Sequence, residues 1–197
     1  MDTIVSNSAA PSGATSAAAA TPSSSAISPA TSSAPLSAAL TAKMALWFEL
    51  HMLQDEYINN LDNDRLEAWP TLFTADCRYE IIPKENADMG LPVGIIYCTN
   101  QRMLRDRVVS LRNANIYEEH SYRHMTSGLA VVKEENGVVE TESNYVVIQT
   151  RSNGESNVYQ AGKYYDKVVR TPDGLRYKSK RVVYDTSRVQ TLLATPI

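Results

Sequence analysis

The chain has 197 residues and carries 19 Lys and Arg against 22 Asp and Glu, a formal net charge of -3. Acids and bases are interspersed, which excludes the basic footprint of a nucleic-acid binder and the polybasic patch of a membrane-surface protein. Two cysteines without Cys-x-x-Cys spacing exclude a zinc ribbon or an iron-sulfur centre built by this chain alone.

Residues 1–43 are almost entirely Ala, Ser, Thr and Pro, with no aromatic residue and with Asp2 as the only charge before Lys43. Such a stretch has too little apolar surface to offset the entropy of ordering it, so it reads as a disordered tail ahead of a folded domain over 44–197. It has neither the basic start and Leu-rich core of a secretory signal nor the Arg content of a transit peptide. The frequent Ser, Thr and Pro exclude a membrane span. A cytoplasmic location is expected. Translation starting at Met44 would remove the tail altogether.

Within LWFELHMLQDEYINNLD, Leu46, Leu50, Leu53, Tyr57 and Leu61 recur three and four apart and predict a helix with one inward stripe. DNDRLEAWPTLFT predicts a shorter helix capped by Asn63 or Asp64 and ended by Pro70. CRYEII alternates, placing Cys77, Tyr79 and Ile81 on one side of a strand, and after a polar loop VGIIYC is a second short strand. Both cysteines therefore read as buried free thiols. In TNQRMLRDRVVSLRNA, Met103, Leu104, Val108 and Leu111 form the apolar stripe of a third helix. Beyond it, turn signals at 135–137, 152–154 and 171–174 divide four antiparallel strands: 120–133, 138–151, 155–169 and 175–189. Helices gathered on one face of a long-stranded, curling antiparallel sheet make an α+β cone.

The stretch NIYEEHSYRH holds two of the three histidines, four apart, beside two glutamates. On a helix that spacing would suit a metal. Here it falls at the start of a strand, which sets His120 and His124 about 13 Å apart along the backbone, too far for one ion. No Gly-rich phosphate loop and no Gly-x-Ser-x-Gly elbow occurs. His51 and Asp55, four apart on the first helix, are the acid/base pair that a stand-alone lyase or isomerase would use. Eleven tyrosines beside two Phe and two Trp suggest interface surface, because Tyr joins apolar bulk to a polar tip.

Three stretches, LEAWPTLFTADCRYEI, MLRDRVVSLRNANIYEEHSYRH and RVVYDTSRVQTLLATPI, resemble the small (beta) subunit of aromatic-ring-hydroxylating oxygenases of the Rieske non-haem iron class. The run GLPVGIIYC with MLRDRV is most similar to small subunits acting on aromatic acids, the salicylate 5-hydroxylase type first and the terephthalate or anthranilate type next. The resemblance implies the cone of nuclear transport factor 2 and scytalone dehydratase, and a non-catalytic role. The large (alpha) subunit would hold the Rieske [2Fe-2S] cluster and the mononuclear Fe(II), typically in an α3β3 assembly. Electrons would come from NAD(P)H through a ferredoxin or reductase. This chain would then have no catalytic, cofactor or metal residues of its own.

The resemblance implies that some of Arg105, Arg107, Arg123 and His124 bond to the large subunit or to a neighbouring small one, with Tyr122, Tyr184 and Arg188 as weaker candidates, since Arg forks suit interfaces whose geometry must be held. Ordinary ion pairs inside the domain are the alternative for each. The apolar run Leu192, Leu193, Pro196 and Ile197 is expected to lie on the subunit body or on a partner. Against the subunit reading stands a lone lyase or isomerase using His51 and Asp55.

Overall fold

The computed structural model describes residues 37–114, 117–186, 193 and 195–197. Helix α1 spans Ala38–Asp62, and Ser37 caps it by accepting the Leu40 N–H at 3.2 Å. The helix therefore begins six residues before the 43/44 boundary inferred from composition. Its first turns are Ala-rich, and Ala has the highest intrinsic helix propensity. Leu50, Leu53, Tyr57 and Leu61 are its buried stripe, as the periodicity predicts, and no helix among the described residues is long and apolar enough to cross a membrane.

The expected second helix is instead a run of turns ending in a 3-10 segment at Trp69–Leu72. Asp64 takes a positive φ of 54°, and Trp69 precedes a proline, a position that disfavours the α region. Strand β1 (Phe73–Pro83) then buries Cys77, Tyr79 and Ile81 on one face, as its alternation predicts. A single helical turn, α2 (Lys84–Asp88), replaces the start of the expected loop, bridged by Lys84 and Asp88 at 2.7 Å. Strand β2 is only Ile96–Cys98. Helix α3 (Gln101–Asn113) is capped by Asn100 and buries Leu104, Val108 and Leu111.

Four long strands follow: β3 (His120–Glu135), β4 (Val138–Arg151), β5 (Ser156–Thr171) and β6 (Gly174–Tyr184). Asn136 and Gly137 both have positive φ, 52° and 76°, as a two-residue hairpin loop of the type I′ class requires. The sheet order is β2-β1-β6-β5-β4-β3. Every neighbouring pair is antiparallel except β1 and β6, which run parallel, a departure from the expected wholly antiparallel sheet. Local turns join the other long strands, whereas β1 meets β6 only after the whole meander has been made. Register shifts in each long pair mark bulges that bend the strands and leave the sheet curved and unclosed. Leu193 and Ile197 join the buried residues of α1, α3 and the sheet in one core, and Pro196 is also buried. The expectation that the last residues lie on the subunit body is met for these three; Leu192 lies outside the described residues.

Candidate functional site

Eight of the eleven tyrosines are buried: Tyr57, Tyr79, Tyr122, Tyr145, Tyr159, Tyr164, Tyr177 and Tyr184. Their abundance thus reflects an aromatic core rather than an outer interface. Tyr145 stacks on Tyr164 at 4.4 Å, while Tyr57 meets Tyr164 and Tyr177 edge-on at 6.2 and 5.7 Å. Alternation on β5 points Tyr164 and Asp166 to the interior, and a register shift on β6 between Tyr177 and Ser179 brings both Tyr177 and Lys180 to the same interior.

Asp166 and Lys180 are opposite one another, with the ammonium 2.9 Å from the carboxylate, and both are buried. The Lys180 Nζ also lies over the rings of Tyr164, Tyr57 and Tyr177, at 3.9, 4.4 and 4.6 Å from their centroids. These ring faces replace part of the lost hydration. Burial pushes the Asp166 carboxyl up and the Lys180 amine down, each partly offset by the other's charge.

Above this pair, the Tyr57 and Tyr79 hydroxyls converge on the Ile197 main-chain oxygen at 2.5 and 2.8 Å. The Ile197 N–H donates to the Tyr79 hydroxyl at 3.1 Å, and Ile197 is fully buried. Burial raises the pKa of both phenols, so they remain donors throughout the neutral range. The interior of the sheet is occupied by side chains and by the last residue of the sequence.

The acid/base candidates His51 and Asp55 are elsewhere. Their side chains are about two-fifths exposed, with Nε2 and Oδ2 3.7 Å apart, and the His51 ring stacks on Trp47 at 5.2 Å. Asp55 borders an open groove with Phe48, Met52 and Arg176, not the tyrosine-lined interior.

The subunit-contact candidates divide. His124 is tied to the end of α1: Asp62 accepts its backbone N–H at 2.8 Å and its Nδ1 at 2.5 Å, with the imidazole fully buried. Arg123 donates to the Asp62 carbonyl at 2.8 Å. Tyr122 and Tyr184 are buried, with Tyr122 stacked on Tyr159 at 5.2 Å. Arg105 is exposed and donates to Gln101 at 2.8 Å within its own helix, and Arg107 borders a groove with Tyr97, Cys98 and Leu193. Arg188 lies outside the described residues. The structure therefore brings Arg123 and His124 together as a clasp between β3 and α1, with Asp62 as the member that sequence reading missed.

His120, Tyr122 and His124 form a row of rings along β3, with centroids 4.7 and 6.3 Å apart. Among the described residues, no three or more His, Cys, Asp or Glu side chains converge as a metal set. Cys77 and Cys98 are free and buried, and burial pushes the Cys77 thiol up to about 11.

Outside the core, Leu40, Met44, Phe48 and Met52 recur every four residues along α1 and are all exposed. With Trp47 and the exposed Val131 and Val132 of β3, part of this stripe borders a groove of about 650 Å³. No periodicity argument pointed to it, because the apolar residues on both sides of α1 blur a single stripe.

The family profile described as ring hydroxylating beta subunit matches residues 58–191. The chain is 79% identical to the anthranilate 1,2-dioxygenase small subunit of Burkholderia cepacia over 158 residues, which are 80% of this chain and 98% of that one. Among solved structures, a chain described as the beta subunit of an aromatic-ring-hydroxylating dioxygenase from Novosphingobium aromaticivorans superposes with a TM-score of 0.73. It is 44% identical, covering 79% of this chain and 99% of that one. A scytalone dehydratase-like protein from the same organism shares the fold alone, at 13% identity and a TM-score of 0.61, over 79% of this chain and 95% of that one.

Proposed function

The chain belongs to the ring-hydroxylating beta subunit family, and from that premise we propose that it works by scaffolding, as the small subunit of a terminal oxygenase acting on an anthranilate-like aromatic acid. The observation that carries this reading is the 79% identity across 98% of the Burkholderia small subunit. That relative's substrate replaces salicylate as the acid to test first.

The oxygen-activating groups belong to a large subunit. A Rieske centre takes two histidines and a facial triad two more, whereas this chain has three in all. One of them, His124, is already engaged by Asp62. The assembly is read as three small and three large subunits, fed with electrons from NAD(P)H by a separate reductase or ferredoxin.

A rigid, filled interior suits a scaffold. The exposed stripe of α1 with Val131 and Val132 offers the apolar surface that a permanent partner would cover. Of the Arg candidates, Arg105 and Arg107 remain in the proposed contact, whereas Arg123 and His124 serve the clasp within the chain.

Co-expression with the large subunit, followed by size-exclusion chromatography, iron analysis and turnover of anthranilate and salicylate, tests this reading. One co-eluting assembly is expected, with iron in proportion to the large subunit and anthranilate preferred. A small chain that elutes alone while the large subunit turns over unaided would overturn it.

A further inference from the structure

The contact at Ile197 has the form of ligand recognition rather than of ordinary core packing. Two phenolic O–H donors meet one oxygen at 2.5 and 2.8 Å, and one of the same phenols accepts the N–H of the same residue at 3.1 Å, so both main-chain polar groups of Ile197 are read. A branched apolar side chain fills the space beside it and is fully buried. Beneath Tyr57 the floor is charged: Lys180 lies 4.4 Å from that ring and pairs with Asp166 at 2.9 Å. A site with convergent polar groups, aromatic walls and a buried ion pair is built like a pocket for a small molecule.

The residue that fills it belongs to no helix or strand. Neither Leu193 nor any of residues 195–197 is in regular structure, so no ladder hydrogen bond of the sheet depends on their staying. Among the described residues, the other hydrogen bond of the Tyr57 and Tyr79 hydroxyls is to each other, at 3.3 Å. Loss of the Ile197 contact would leave the two phenols only each other among these partners, so one buried donor would lack an acceptor, and that deficit is what a ligand in solution would satisfy.

We propose that Tyr57 and Tyr79 form a binding site for a small N-acyl amino acid amide with a branched apolar side chain, and that Ile197 occupies this site in cis. Occupation by a tethered residue competes at high effective concentration, so the intact chain excludes the free compound. This inference stands on the fold and is independent of the oxygenase reading.

The test compares the full chain with a variant ending after Thr195, using N-acetyl-isoleucine amide as the probe and N-acetyl-aspartate amide as the control. Thermal unfolding of the shortened chain is expected at a lower temperature and to rise again with millimolar probe but not with control. The full chain should respond to neither. Adding Tyr57→Phe and Tyr79→Phe to the shortened chain should weaken the probe at least tenfold. A folded shortened chain that ignores the probe, or a full chain that responds equally, overturns the proposal.

Should the shortened chain fail to fold, the full chain with Tyr57→Phe and Tyr79→Phe keeps both rings and loses both donors. Amide exchange at Ile197 should then quicken at least tenfold. Unchanged exchange overturns the proposal as well.

Discussion

Asp62 does two tasks with one carboxylate: it receives the His124 backbone N–H and the His124 ring nitrogen, while the imidazole itself is sealed from solvent. Asp62→Ala strands both donors, and losing a charged acceptor from a buried pair of donors costs about 2 to 4 kcal/mol. Urea unfolding should show the midpoint fall by that equivalent with the slope unchanged, and Asp62→Asn should recover part of it. A loss below ~0.5 kcal/mol would mean that the clasp is ornamental. His124 was singled out in the sequence because it sits four residues from His120, but that spacing names no partner. Asp62 lies 62 residues away and meets His124 only because α1 ends against β3.

The β5–β6 hairpin shows why register matters more than composition. Thr171 pairs with Gly174 and Val168 with Tyr177, a count that would set Asp166 opposite Ser179. A register shift between Lys167 and Val168 moves the pairing by one, and Asp166 faces Lys180 instead. Without the bulge the ammonium in the tyrosine cage would have no directly opposing carboxylate on β5.

Gly162 guards the other end of this hairpin: an added Cβ would sit 2.0 Å from the Val183 carbonyl oxygen and 2.8 Å from the Tyr184 Cα. Backbone cannot retreat as a side chain can, so Gly162→Ala should cost roughly 3 kcal/mol and lower the Tm by roughly 10 °C in a circular-dichroism melt. Gly137→Ala is the control. Nothing lies within 4 Å of its Cβ position, and only its φ of +76° is strained, so about 1 kcal/mol is expected.

At the scale of the whole molecule, the phenols make stability depend on alkaline pH. Burial raises the pKa of Tyr57, Tyr79, Tyr122, Tyr145, Tyr164 and Tyr177 above the ordinary value of about 10. A folded pKa above the unfolded one means that the stabilisation is complete below pH ~10 and is lost as pH rises past it, by about 1.4 kcal/mol per pH unit for each such phenol. Absorbance at 295 nm should show these six buried phenols ionising together, with unfolding, above that pH. Ionisation of these buried phenols near pH ~10 in the folded chain would contradict the aromatic core.

The outer surface makes a separate demand. Phe48 is 59% exposed, so Phe48→Asp should leave the melting temperature of the lone chain unchanged while lowering large-subunit retention in a co-purification at least tenfold, about 1.4 kcal/mol. Undiminished retention would put the partner on another face.

The sequence by itself determined the order of the long helices and strands, the inward stripes of α1, α3 and β1, the hairpin turns and the family, because each depends on spacing within a few residues or on motifs kept in order. Only the tertiary structure decided that β1 lies parallel to β6, that the tyrosines turn inward, that His124 answers to Asp62, and that Ile197 occupies the core. Each of those joins residues far apart in the chain, and which of them meet is set by sheet curvature, bulges and burial, none of which a local pattern encodes.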